Sequence, residues 1–211
     1  KKKFGENLSD KLIKNFNFEL TEDQKKVDEE ISEDLKSEQK MFRILQGDVG
    51  SGKTIVSFLA AAKVVESGYQ VVLMAPTEIL AKQHFNLAKK IFPKNINLEL
   101  ISGKSEYKIK KEILKNLESN KINIIFGTHA IFQKKVIFKK LGLIIIDEQH
   151  KFGVNQRKKL SDKGGIDCDV LLMTATPIPR TLTMTIYGDM DISIIREKPK
   201  NRKPIKTYSK L

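Results

Sequence analysis

The chain has 211 residues, 40% hydrophobic and 31% charged, enough for one sizeable folded domain with a real core. No apolar run approaches the roughly 18 residues that span a bilayer, and the start Lys1-Lys2-Lys3-Phe4-Gly5 lacks the apolar stretch of a signal peptide. The formal charge of +13, from 39 Lys+Arg against 26 Asp+Glu, favours a polyanionic partner, because phosphates reward clustered cations. A source rich in Lys, Ile and Asn would give the same excess. The single cysteine, Cys168, rules out an intrachain disulfide and fits a reducing, cytoplasmic setting; with no activating base beside it, it reads as a bystander. Three histidines and one cysteine argue against a zinc site.

In chain order, residues 1–17 are polar and basic with weak periodicity and read as a connector. Thr21 before Glu22-Asp23-Gln24 is an N-cap with an acidic first turn, and Val27, Ile31 and Leu35 recur at helical spacing, so a helix is predicted over residues 22–37. Phe42-Arg43-Ile44-Leu45 predicts a short strand entering a glycine-rich loop. The Ala-, Val- and Leu-rich segment 54–66 predicts a helix that ends near Gly68. Strands are predicted at 70–75, 98–101, 122–126, 143–146 and 170–173, with helices at 78–91 and 107–117. Several strand runs are apolar throughout, which suits parallel strands covered on both faces. The fold expected is α/β: a doubly wound, mostly parallel sheet with helices on both faces, spanning residues 18–195. Beyond about Ile195 the charged, proline-containing run to Pro204 reads as a linker, and Ile205-Lys206-Thr207-Tyr208 as the possible start of another strand.

The loop Gly47-Asp48-Val49-Gly50-Ser51-Gly52-Lys53-Thr54 matches G-x-x-x-x-G-K-[ST], between a strand and a helix. Glycines let the backbone wrap closely around a phosphate, so that amide N–H groups point inward, and the following helix adds its positive N-terminal end. Lys53 is expected to neutralise phosphate charge and Thr54 to ligate Mg²⁺ beside ATP. A phosphate loop needs a second metal-holding group on a neighbouring strand, and Asp147-Glu148 follows the apolar run Leu143-Ile144-Ile145-Ile146. Asp147 is expected to hold the metal through water, and Glu148 to polarise the attacking water.

With His150, the segment Asp147-Glu148-Gln149-His150 resembles the D-E-x-H motif of superfamily 2 helicases. Ala75-Pro76-Thr77, Gly127-Thr128-His129, Thr174-Ala175-Thr176 and Phe18-Glu19-Leu20-Thr21-Glu22-Asp23-Gln24 resemble further motifs of that superfamily in the same order. Asp147 to Val154 and Met173 to Leu182, with its Pro177-Ile178-Pro179-Arg180 core, narrow the resemblance to the RecG family of ATP-dependent DNA helicases, first RecA-like motor domain. The transcription-repair coupling translocases share the Pro-Ile-Pro-Arg segment but more often read D-E-E-H.

The resemblance implies roles residue by residue. Gln24 would contact adenine, and residues 47–54 would hold the nucleotide. Lys53, Asp147 and Glu148 would carry the chemistry, with Thr54 and Asp147 at the metal. His150, Thr174, Ala175 and Thr176 would couple nucleotide to movement, while Thr77, Gly127, Thr128 and His129 would lie along DNA. It also implies branched or forked DNA as partner, a wedge domain before residues 1–17, a second RecA-like domain after residues 196–211, and a monomer. An isolated first lobe is expected to bind ATP weakly and turn it over very slowly, or to act as a non-catalytic ATP- and DNA-binding module. His84 reads as a surface histidine, His129 as either DNA-facing or a plain loop residue, and Lys108, Lys110, Lys111 and Lys115 as a solvated helix face. Arg180 could touch a phosphate.

Overall fold

Among the described residues, seven parallel strands form one sheet in the order β3-β4-β2-β5-β6-β1-β7. They are β1 (Phe42–Gly47), β2 (Gln70–Met74), β3 (Leu98–Ile101), β4 (Ile124–Gly127), β5 (Leu141–Asp147), β6 (Asp169–Thr174) and β7 (Asp191–Ile195). Among the described residues the helices are α1 (Asn7–Asn15), α2 (Glu22–Lys36), α3 (Lys53–Glu66), α4 (Glu78–Ile91) and α5 (Tyr107–Glu118), with a short 3-10 helix at His129–Phe132. This computed structural model describes residues 2, 7–16, 19–103, 107–133, 135–147, 168–176 and 190–197. Glu148, Gln149, His150, Lys151 to Val154, Pro177 to Leu182 with Arg180, and Ile205 to Tyr208 lie outside them.

The apolar runs become central strands because both of their faces are covered. In β5, Leu143 and Ile145 join the core under α1, α2, α3 and α4, while Ile144 and Ile146 join the core shared with Ile113 and Leu117 of α5. β6 divides the same way, Leu171 and Met173 against Val170 and Leu172. Helix α3 is apolar nearly all round, from Val56 to Val65, because α1 and α2 pack over it as it lies on the sheet.

Two elements depart from the sequence reading. The segment taken as a connector forms α1, and Leu8, Leu12 and Phe16 bury into the core. Its apolar residues recur every fourth position, a stripe that the surrounding Lys and Asn residues dilute in composition but not in geometry. Asn15 Nδ2 donates to the Ile91 carbonyl (2.7 Å) and the Leu8 N–H to Glu66 Oε1 (2.6 Å), so both ends of α1 are fastened. Strand β7, unassigned from sequence, pairs with β1 at the sheet edge. Its run Asp191-Ile192-Ser193-Ile194-Ile195 is short and half exposed, hence a weak signal.

Below the sheet, Asp169 accepts the Met41 N–H (2.8 Å) and pairs with the buried Lys2 ammonium. Burial raises the Asp169 carboxyl, opposed by Lys2. Neighbouring Cys168 is fully buried, and burial pushes its thiol from 9.0 up to about 12. Native Cys168 is therefore expected to stay unreactive to Ellman's reagent at pH 8 and to react on denaturation. Between pH 9 and about 12 the unfolded thiol ionises while the native one keeps its proton, so stability falls as pH rises through that window. Rapid labelling of the native protein would contradict this.

Candidate nucleotide site

Strand β1 ends at Gly47 and α3 begins at Lys53, so residues 48–52 form the whole turn. Gly50 (φ 81°) and Gly52 (φ 92°) occupy the left-handed region, open at little cost only to glycine. A Cβ on Gly52 would land on the Gln24 amide nitrogen, and one on Gly47 would meet Ser51 Oγ at 2.5 Å and the Ile195 carbonyl at 2.9 Å. Gly52 caps α3 without a side-chain hydrogen bond, so the helix's leading N–H groups are not occupied by a side-chain cap. Ser51 Oγ is buried with no hydrogen-bond partner. Left-handed glycines, a helix end without a side-chain cap and a buried orphan hydroxyl fit a nucleotide phosphate chain. Lys53 Nζ donates to the carbonyls of Gly47 (2.6 Å) and Asp48 (3.0 Å), which folds the ammonium back over its own loop. Asp48, Val49 and Gly50 are exposed, and Thr54 is half-buried.

Gln24 supports this loop from α2. Thr21 and Gln24 make a reciprocal capping box, with Thr21 N–H donating to Gln24 Oε1 (3.0 Å) and Gln24 N–H to Thr21 Oγ1 (3.3 Å). Gln24 Nε2 then donates to the Ser51 carbonyl (2.7 Å). The side chain expected to meet adenine is 2% exposed, and both its polar ends serve the protein's own backbone. Arg43 of β1 fixes α2 in place: its Nε donates to Asp34 Oδ2 (2.6 Å) and its Nη1 to Ser193 Oγ of β7 (2.8 Å).

The strand register carries the other motifs to the same edge of the sheet. Gln46 pairs with Thr174, Met173 with Asp147, Ile146 with Met74, and Met74 with Gly127. Because every strand is parallel, the phosphate loop, Asp147, Thr174-Ala175-Thr176, Ala75-Pro76-Thr77 and Gly127-Thr128-His129 all leave from the C-terminal ends, where α/β sheets place their ligands. Thr174, 1% exposed, accepts the Thr176 N–H (3.2 Å), and its Oγ1 lies 3.0 Å from Thr176 Oγ1, closing a local turn around Ala175. Thr77 caps α4 by accepting the Leu80 N–H (3.3 Å), and the Ala75 N–H donates to the Gly127 carbonyl (2.9 Å), joining two of the motifs directly. Thr77 and His129 are exposed, whereas Gly127 and Thr128 are buried. A Cβ on Gly127 would meet the Ile101 carbonyl at 2.7 Å.

One residue was misplaced by sequence reading. His84, taken as a surface residue, is 9% exposed, and its Nε2 lies 2.7 Å from Asp147 Oδ2. Its position on the same face of α4 as the buried Ala81 and Ala88 was the available signal. The lysines of α5 keep their expected place: Lys108, Lys111 and Lys115 are exposed, and Lys110 donates to the Gly103 carbonyl (2.8 Å). Among the described residues no cluster of three or more His, Cys, Asp or Glu could hold a metal on its own, and no helix is long and apolar enough to cross a membrane. A cation shared with phosphate oxygens needs no such cluster; a hydroxyl and one carboxylate suffice.

The fold and site together define a P-loop nucleotide-binding domain of the RecA-like kind. The profile of the DEAD/DEAH box helicases matches residues 21–185, and the chain belongs to that family. It is 49% identical over 210 residues to the ATP-dependent DNA helicase RecG of Borreliella burgdorferi, covering 99% of this chain and 30% of that protein. The corresponding figures for RecG of Bacillus subtilis are 51% over 199 residues, 94% and 29%. The chain thus spans about 30% of the length of these relatives. A structure of RecG bound to a three-way DNA junction superposes with a TM-score of 0.83 at 41% identity, covering 97% of this chain and 27% of that one. A DEAD box protein from the hyperthermophile Methanococcus jannaschii superposes with a TM-score of 0.65 at 28% identity, covering 91% of this chain and 55% of that one.

Proposed function

We propose that this chain is the ATP-binding motor lobe of a DNA helicase or translocase that remodels branched DNA and stalled replication forks, coupling ATP hydrolysis to movement on DNA. The observation that carries the reading is the common edge: the phosphate loop and Asp147 leave the sheet beside the motifs expected to meet nucleic acid. In this reading Gly47 to Thr54 hold the phosphates, with Lys53 countering their charge. Thr54 and Asp147 hold Mg²⁺, which when bound neutralises charge developing on the transferred phosphate. Glu148 polarises the attacking water. Gln24 keeps the loop in shape from beneath through Ser51. Thr77, Gly127, Thr128 and His129 lie along the DNA backbone, and Thr174, Ala175, Thr176 and His150 link the two sites.

The RecG structure on a three-way DNA junction supports forked or branched DNA as the partner. A second RecA-like domain and a wedge domain of the same parent chain complete the machine, since turnover in this enzyme class needs transition-state charge met from outside one lobe. The test is ATP turnover by the parent protein on matched substrates. Forked DNA is expected to stimulate it well beyond duplex RNA; stronger stimulation by the RNA would sink the DNA reading.

A further inference from the structure

His84 belongs to none of the motifs above. It lies seven residues after Thr77 on α4, about two helical turns, with its ring turned toward the sheet. The helix cannot drift there: the adjacent Phe85 packs edge-on against Phe126 of β4 (centroids 5.7 Å apart), and Ala81, Ala88 and Ile91 are buried on either side. Its imidazole Nε2 meets Asp147 Oδ2 at 2.7 Å, with the two side chains 11% and 15% exposed. An ionised carboxylate only accepts, so Nε2 carries the hydrogen and donates it. That bond engages one carboxylate oxygen and restrains the rotation of the group.

We infer that His84 is a positioning residue for Asp147, holding the metal-side carboxylate in one orientation from a helix that begins at the nucleic-acid motif. The inference rests on the ATP- and Mg²⁺-binding reading above. Hydrogen bonds to a metal-holding carboxylate orient it and sharpen its affinity, and their loss typically weakens metal binding about 10- to 100-fold. A residue that served only the core would affect folding without touching that affinity.

The experiment measures Mn²⁺ affinity by electron paramagnetic resonance in the presence of saturating ATP, for the unaltered chain, His84→Met and His84→Gln. Methionine keeps the bulk and removes the donor; glutamine returns a donor at similar reach. A fluorescent ATP analogue in excess chelator reports nucleotide binding without metal. His84→Met is expected to lose about tenfold or more in Mn²⁺ affinity with metal-free nucleotide binding unchanged, and His84→Gln to recover most of it. Equal Mn²⁺ affinity in His84→Met and the unaltered chain overturns the inference, as does a His84→Gln chain no better than His84→Met. Should His84→Met not fold, the unaltered chain decides. Adding Mg²⁺ to its ATP complex is expected to shift the His84 Nε2 nitrogen resonance, and a stationary signal overturns the inference. An unaltered chain without ATP-dependent Mn²⁺ binding brings down the proposed function as well, whereas normal binding with no loss in His84→Met removes the inference alone.

Discussion

Lys53→Ala is expected to weaken ATP binding about 10- to 100-fold. A hydrogen bond from a charged donor contributes roughly 1.5–3 kcal/mol, and each 1.4 kcal/mol is a factor of ten in affinity. Lys53 stands at the first turn of α3, so in the proposed reading its charge adds to the positive end of the helix. In this structure the ammonium lies on the carbonyls of Gly47 and Asp48, the first bond part-buried and the second exposed, and both carbonyls are neutral acceptors. Their loss is therefore expected to cost only about 1 kcal/mol of stability. Titration with a fluorescent ATP analogue, with circular dichroism melting as the control for folding, separates the two effects. A Lys53→Ala chain that melts normally and binds like the unaltered one would mean that the loop does not hold phosphate.

The largest stability effect is expected at Phe58. Phe58→Ala should remove about 3–5 kcal/mol, the transfer free energy of the ring plus the cavity it leaves. The side chain is 1% exposed, with Phe92 edge-on at 5.7 Å and Phe126 at 6.4 Å between centroids. It is the point where α3, the end of α4 and β4 meet, so the hole cannot close by moving one element alone. For a chain of this size each kcal/mol shifts Tm by about 2–4 °C, which gives a fall of roughly 6–20 °C. Phe58→Leu, which keeps most of the volume, should cost distinctly less. Thermal melting of the two variants checks this; a Tm within about 3 °C of the unaltered chain for Phe58→Ala would be at odds with a buried aromatic junction.

Much of the architecture could be read in advance because its signals are local. The runs 71–75 and 143–146 are apolar at successive positions and too short for a buried helix, which suits strands covered on both faces, and β2 and β5 form there. The helices beginning at Glu22 and Glu78 are announced by Thr21 and Thr77, which do accept backbone hydrogen bonds as N-caps. The turn between β1 and α3 is legible for the same reason: Gly50 and Gly52 hold backbone angles in the left-handed region that favours glycine. β7 and α1 were harder. β7 is held mainly by pairing with β1, and α1 by packing on α3 and α4, so neither carries a strong signal of its own.

By itself the sequence determined the α/β class, the glycine loop between β1 and α3 with its lysine, and the carboxylate at the end of β5, since each follows from backbone geometry or spacing within a short stretch of chain. Tertiary structure alone decided how those pieces are supported. Gln24 reaches Ser51 across 27 positions, His84 reaches Asp147 across 63, and Lys2 reaches Asp169 across 167. Hydrogen bonds of that span leave no periodicity behind. The first two exist because a parallel sheet gathers the C-terminal ends of distant strands along one edge, and α2 and α4 bring side chains to that edge; the third closes the opposite end, where β6 begins.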